Sequence, residues 1–160
     1  HHNSMTYLGV PPDKVVLGTF ETRRFPQARQ EILEYLIDLR RNYQPDIVFT
    51  HTRSDIHQDH QTVTEEALRA FRGTSVLGFD VLRSSYGFFP NFLVEVTEKD
   101  VEQKIDALSK YTTYADKYYF DPNILRSTLI RHGALAERPY AEGFDILRII
   151  GAFNYSASTQ

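Results

Sequence analysis

Asp46-Ile47-Val48-Phe49-Thr50, followed by the polar loop that carries His57-Gln58-Asp59-His60, is the stretch that decides the fold. The β-branched and aromatic run after Pro45 reads as a buried strand, and the residues after Asp59 read as a helix. Two imidazoles and a carboxylate in one tetrapeptide therefore stand at the carboxyl end of a strand, where an α/β fold keeps its chemistry. The same side chains serve as divalent-metal ligands and as general acid–base groups near neutral pH.

Upstream, Val15 to Phe20 follows Pro11-Pro12-Asp13 and reads as a first strand. From Pro26 to Tyr43, Ile32, Leu33, Leu36, Ile37 and Leu39 share one helical face; Pro26 suits the first turn and Pro45 ends the element. The helix from about Asp59 to Phe71 closes at Gly73. Strand, helix, strand, helix predicts an α/β fold with a mostly parallel sheet and helices on its faces. Downstream, Ser75 to Val81 and Phe92 to Thr97 read as strands, and Val101 to Tyr111 as a helix. Asp121-Pro122 opens a helix that ends at Gly133, and Phe144 to Ile150 forms a last strand. Without repeats or a linker, residues 5–160 read as a single domain. So little precedes Val15 that its strand is expected to leave an open sheet edge, through which the chain would form a homo-oligomer.

Composition narrows the partners. The 160 residues are 41% hydrophobic and 13% aromatic, as in a globular domain, and the net charge of −3 argues against nucleic acid. The absence of cysteine removes disulfides and thiolate chemistry and suits a cytoplasmic protein. No apolar run approaches the roughly 18 residues of a membrane span, and no signal peptide is visible. His1 to Ser4, ahead of the single methionine Met5, read as an affinity-tag remnant.

At the site, the histidines are too close to be i, i+4 ligands on one helical face. One of the pair coordinates while the other donates a proton, and Asp59 orients an imidazole. The plain structural reading makes Asp59 an N-cap and both histidines loop residues. His51 stands at the strand end and either lines the same pocket or is merely half-buried. His132, beside Gly133, reads as a cation complementing a helix C-terminus. Tyr111, Tyr114, Tyr118 and Tyr119 read as core and rim, and Arg23 and Arg29 as solvated surface. Metallo-β-lactamase-like enzymes carry HxHxDH, but here Asp55 stands where the first histidine would be.

Pro45-Asp46-Ile47-Val48-Phe49 and His57-Gln58-Asp59-His60 together resemble the PDxVxxH…HxDH signature of the PIG-L/LmbE-like deacetylase family. Leu8-Gly9-Val10, Arg29-Gln30-Glu31-Ile32, Glu66 to Phe71, Lys104 to Tyr111 and Tyr140-Ala141-Glu142-Gly143-Phe144 extend the resemblance in order along the chain. It implies a Rossmann-like three-layer sandwich that removes acetyl groups from N-acetylated amino sugars or related amides with zinc. His60 falls on the family's zinc ligand. His57 falls on the group that stabilises the oxyanion or protonates the leaving amine, with Asp59 in support. The family's AHPDDE signature, which supplies the remaining ligands and the base, has no counterpart ahead of Leu8. Thr112-Thr113-Tyr114 stands where a serine-glutamine pair is common. The resemblance thus implies an N-terminally truncated domain with an incomplete zinc site, inactive by itself. The alternative is a non-catalytic remnant of the fold that associates with a partner or with itself.

Overall fold

The computed structural model describes residues 2–114 and 116–151. In chain order its elements are α1 (His2–Tyr7), α2 (Arg29–Tyr43), β1 (Ile47–His51), α3 (Gln58–Ala70) and β2 (Ser75–Phe79). There follow β3 (Phe92–Glu95), α4 (Glu98–Ser109), α5 (Pro122–Leu135) and β4 (Ala141–Arg148). Short 3₁₀ turns lie at Pro12–Lys14, Thr112–Tyr114 and Tyr118–Phe120.

The four strands form one sheet in the order β1-β2-β4-β3. β1 and β2 pair in parallel, with Phe49 opposite Leu77 and His51 opposite Phe79. β4 runs antiparallel to both β2 and β3. The sheet is therefore mixed rather than mostly parallel, and the helix count between strands is the reason. A single helix, α3, carries the chain back so that β2 starts at the same end as β1. Two helices, α4 and α5, separate β3 from β4, so the chain re-enters from the opposite end.

Helices cover both faces, giving three layers. On one face Val48 packs against Leu33 of α2 and Ala67, Ala70 and Phe71 at α3, and Thr50 meets Thr64 of α3 at 3.3 Å. Strand side chains alternate, so Phe49 and His51 face the other side, where Phe49 meets Phe144 of β4 and α5 packs on β4. The buried carboxylate of Glu66 joins Arg29 of α2 to Arg69 of α3. The C-terminal carbonyls of α3 are capped by arginines from elsewhere: Arg40 to Ala70 (2.6 Å) and Arg148 to Phe71 (2.9 Å) and Leu68 (3.0 Å). Cations there also complement the helix dipole.

The predicted strand at Val15 to Phe20 does not form; these residues have no regular structure. Strand propensity expresses fit to a paired, half-buried surface, and no strand among the described residues pairs with this segment. Val16 and Leu17 are exposed, while Phe20 packs edge-on against Phe25 and Tyr35. The open edge lies instead at β1, which pairs only with β2 among the described residues and exposes Ile47 and Phe49. α4 starts earlier than its apolar stripe suggested, because Thr97 and Asp100 form a reciprocal capping box. β4 likewise begins at Ala141 rather than Phe144.

Asp121 caps α5 by accepting the Asn123 N–H, with Pro122 in the first turn. Gly133 does not end that helix, which continues to Leu135. It permits close approach: a Cβ there would lie 2.6 Å from the Arg138 carbonyl oxygen and 2.8 Å from the Tyr140 nitrogen. Since both neighbours are backbone, Gly133→Ala is expected to destabilise the protein by about 1–3 kcal/mol, measured by urea denaturation. An unchanged midpoint would show that the turn into β4 yields freely.

Candidate active site

The carboxyl end of β1 and the N-terminus of α3 bring three imidazoles into a stack. The His51 and His60 rings lie 3.8 Å apart between centroids and 8° from parallel. His57 stacks on His60 at 4.4 Å and 22°. His51 also touches Phe79, its cross-strand partner, at 4.9 Å.

Asp55 organises this stack. Its side chain has no solvent exposure, and it accepts from the His57 N–H (2.8 Å), the Ser84 hydroxyl (2.9 Å), the Ser85 hydroxyl (3.3 Å) and His60 Nδ1 (2.8 Å). Burial alone would raise its pKa, but the hydrogen bonds from the His57 backbone, His60 and Ser84 outweigh it and hold the carboxyl below its ordinary value. Against an ionised carboxylate, His60 Nδ1 carries the proton. Its Nε2 is therefore a lone-pair acceptor with no hydrogen bond among the described residues.

His57 has the opposite tautomer. It is the N-cap of α3, and its Nδ1 accepts the Asp59 N–H at 3.2 Å. Neutral His57 then keeps its proton on Nε2 and is a donor. Asp59 itself does something other than orient an imidazole. Its buried carboxylate accepts the backbone N–H groups of Arg23 (2.5 Å) and Phe25 (3.3 Å), tying the loop before α2 to the site. Gln58 adds a bond to the Arg23 carbonyl, and Arg23 is held at φ +69°, in the left-handed region. Asp59 reaches His57 only through its backbone.

His51 and Asp55 matter more to the site than their sequence context indicates. Asp55 was visible in the pattern, two residues before His57 and five before His60, but looked like a failed histidine position. Ser84 and Ser85 carry no sequence signal, because the loop after β2 brings them in. Arg29 is engaged with Glu66 rather than simply solvated. Tyr118 is exposed, Tyr111 and Tyr119 are half-buried, and the Tyr114 side chain lies outside the described residues. His132 is not a surface cation at a helix end: it is 2% exposed, and burial holds its imidazole below the ordinary value despite the pull of Asp80.

Among the described residues no group of three or more His, Asp or Glu side chains is placed to hold a metal ion. The stack explains this. A ligand nitrogen binds in the plane of its ring, and an ion in the plane of one stacked imidazole lies out of the plane of the next. Asp55 is taken up by its four donors and His57 Nδ1 by a backbone N–H, which leaves lone pairs only on His60 Nε2 and on one nitrogen of neutral His51 in this cluster. A zinc site needs three or four protein ligands, and these residues do not fit one by themselves.

His51 provides a pH signature. Burial, with His60 and His57 adding to it and Asp55 opposing, lowers its pKa from 6.5 to about 4. The unfolded chain then binds a proton that the folded one refuses between those values, so stability is full above pH 6.5 and falls as the pH drops toward 4. In metal-free buffer the protein is expected to lose about 2 kcal/mol more than His51→Leu between pH 7 and pH 5, by urea denaturation. Equal losses in the two proteins would show that His51 titrates normally.

Residues 1–71 match the family model described as PIG-L: GlcNAc-PI de-N-acetylase. No curated protein matches the chain. Among solved structures, N,N'-diacetylchitobiose deacetylase from Pyrococcus horikoshii, in complex with its inhibitor MPG, is similar with a TM-score of 0.71 and 20% identity. That likeness covers 90% of this chain and 60% of the deacetylase, so the chain spans less than two thirds of it. The zinc-inhibited form of teicoplanin deacetylase gives 0.67 and 15% identity over 89% of this chain and 70% of its own. The 4-carboxy-2-hydroxymuconate hydratase of Pseudomonas putida gives 0.61 and 15% over 96% and 71%. At these identities the likeness is one of fold, and a fold shared by deacetylases and a hydratase does not fix the reaction. This α/β domain thus has the LmbE-like deacetylase fold, and its first 71 residues carry the pattern of the PIG-L family.

Proposed function

We propose that the chain carries part of the machinery of a deacetylase-type hydrolase for the N-acetyl group of an amino sugar or related amide. Its own residues leave the zinc site incomplete, so that it is inactive by itself. One observation carries this reading: adjacent stacked imidazoles are fixed in opposite tautomers, His60 by Asp55 and His57 by the Asp59 N–H. Amide hydrolysis needs both functions side by side. An acceptor nitrogen, the state required of a general base and of a metal ligand alike, serves the attacking water. A donor N–H stabilises the oxygen of the tetrahedral intermediate and then protonates the departing nitrogen. His60 Nε2 and His57 Nε2–H have these states, and Asp55 stabilises the charge that His60 gains. Breaking the C–N bond then yields acetate and a free amine.

The PIG-L pattern over residues 1–71 supports the same reading. The zinc it implies would meet His60 Nε2 here and would need further donors besides. No helix among the described residues is long and apolar enough to cross a membrane, and the reading places the reaction on a dissolved substrate in the cytoplasm.

N-acetylglucosamine titrated into the protein is expected to shift the ring signals of His57 and His60 saturably in NMR spectra, with the His57 response lost in His57→Ala. Absence of any shift at either ring up to tens of millimolar sugar, about the range of a weak single-sugar complex, would reject the assignment. Acetate release by this chain with added zinc is expected to stay at background, because the histidines alone do not complete a metal centre. Robust release abolished by His60→Ala would show instead that His51 or Asp55 rearranges to complete it.

A further inference from the structure

β1 is an end strand of the sheet: it pairs with β2 and, among the described residues, with nothing on its other side. The phase of the ladder tells which groups that edge offers. The Thr52 N–H donates to the Phe79 carbonyl, so in this parallel pair Val48, Thr50 and Thr52 turn their backbone groups toward β2. Ile47, Phe49 and His51 turn theirs outward. No described backbone group pairs with these three; the His51 carbonyl alone accepts a side-chain donor, the Thr64 hydroxyl at 2.9 Å.

Open edges in soluble proteins ordinarily carry charges, a proline, a bulge or a cover. Ile47-Val48-Phe49-Thr50-His51 contains no Lys, Arg, Asp, Glu or Pro, and its register with β2 runs without a bulge. Ile47 and Phe49 are 50% and 54% exposed. Phe49 meets Phe144, which in turn meets Phe92. An apolar surface thus crosses the sheet and stops abruptly at an unprotected edge.

We propose that a second copy of the chain closes this edge, β1 pairing antiparallel with the partner's β1 about a two-fold axis at Phe49. The outward residues lie symmetrically about Phe49. With Phe49 opposite the partner's Phe49 and Ile47 opposite the partner's His51, every outward N–H and C=O of both strands finds a partner. The His51 carbonyl has a second lone pair for the partner's Ile47 N–H. A two-residue slip one way sets Pro45, which has no N–H, against the partner's His51. A slip the other way sets Ile47 against the partner's Arg53, beyond the strand. Charge selects the direction. Exposed Asp46 precedes the strand and exposed Arg53 follows it, so antiparallel pairing brings unlike ends together, whereas parallel pairing would set Asp46 beside the partner's Asp46. The phenylalanines at the axis join the two apolar surfaces into one. The partner's Ile47, opposite His51, also adds an apolar wall beside the histidine stack. The pairing does not depend on the reaction proposed above.

Sedimentation velocity between about 1 and about 200 µM is expected to show the monomer passing to twice its mass, a range that brackets a micromolar association. Amide hydrogen exchange locates the contact. Val48 and Thr50, bonded to β2, are expected to be protected at every concentration, while Ile47, Phe49 and His51 gain about tenfold protection as the dimer forms. Phe49→Lys places two like charges at the axis. It is expected to weaken association at least about tenfold and to remove the protection of those three amides while leaving that of Val48 and Thr50. If the variant does not fold, the exchange pattern of the unaltered protein still decides. A monomer throughout the concentration range overturns the proposal. So does a dimer in which the three amides exchange as freely as in the monomer, since it would use another surface. Protection of the three amides that persists in the diluted monomer overturns it too, since the chain would then cover its own edge.

Discussion

Four donors converge on the Asp55 carboxylate, which water does not reach. They come from the first residues around α3 and from the loop after β2, so a single anion joins the two connections that leave the carboxyl ends of adjacent parallel strands. Removing it would leave two hydroxyls, a backbone N–H and an imidazole without their acceptor, and buried groups left unpaired cost more than the bond itself contributes. The orientation of His60, and through it the stack with His51 and His57, depends on this one side chain. Asp59, the more conspicuous acid, serves a different purpose: it fastens a loop.

What was legible in the sequence was what depends on neighbours along the chain. β1, α3 and the Asp121-Pro122 start of α5 follow from apolar periodicity and capping chemistry, which are local. The coil at Val15 to Phe20 was not legible, because a strand needs a partner and the sequence does not say whether one is adjacent. The direction of β4 required counting helices between strands. Gly133 looked like a terminator because glycine so often is one, whereas the backbone of Arg138 to Tyr140 demands it at that point. At the site, the histidine pair was visible as a motif, but their tautomers rest on Asp55 and on a backbone N–H, and only the folded geometry distinguishes them.

The fold and the chemistry are separable here. Solved proteins with this architecture include deacetylases and a hydratase, two reactions in which water attacks or adds at carbon. A rigid donor–acceptor pair at the mouth of a parallel strand pair suits either, and selection between them falls to whatever surrounds the pair. In this chain the loop pinned by Asp59 and Gln58, with Arg23 in a strained conformation, forms part of that surrounding.

The arginine caps on α3 bear on how the molecule assembles in time. Arg148 lies 77 and 80 positions after the carbonyls it satisfies at Phe71 and Leu68, and Asp145 lies 93 after Thr52, whose hydroxyl it accepts. The helix that presents His57 and His60 at one end is thus finished at the other by the last strand of the sheet. A nascent chain can wind α3 early, yet it cannot anchor it until β4 has emerged and inserted between β2 and β3. Long-range closures of this kind slow folding, and they make the anchoring of α3 a late step, completed when the final strand takes its place in the sheet.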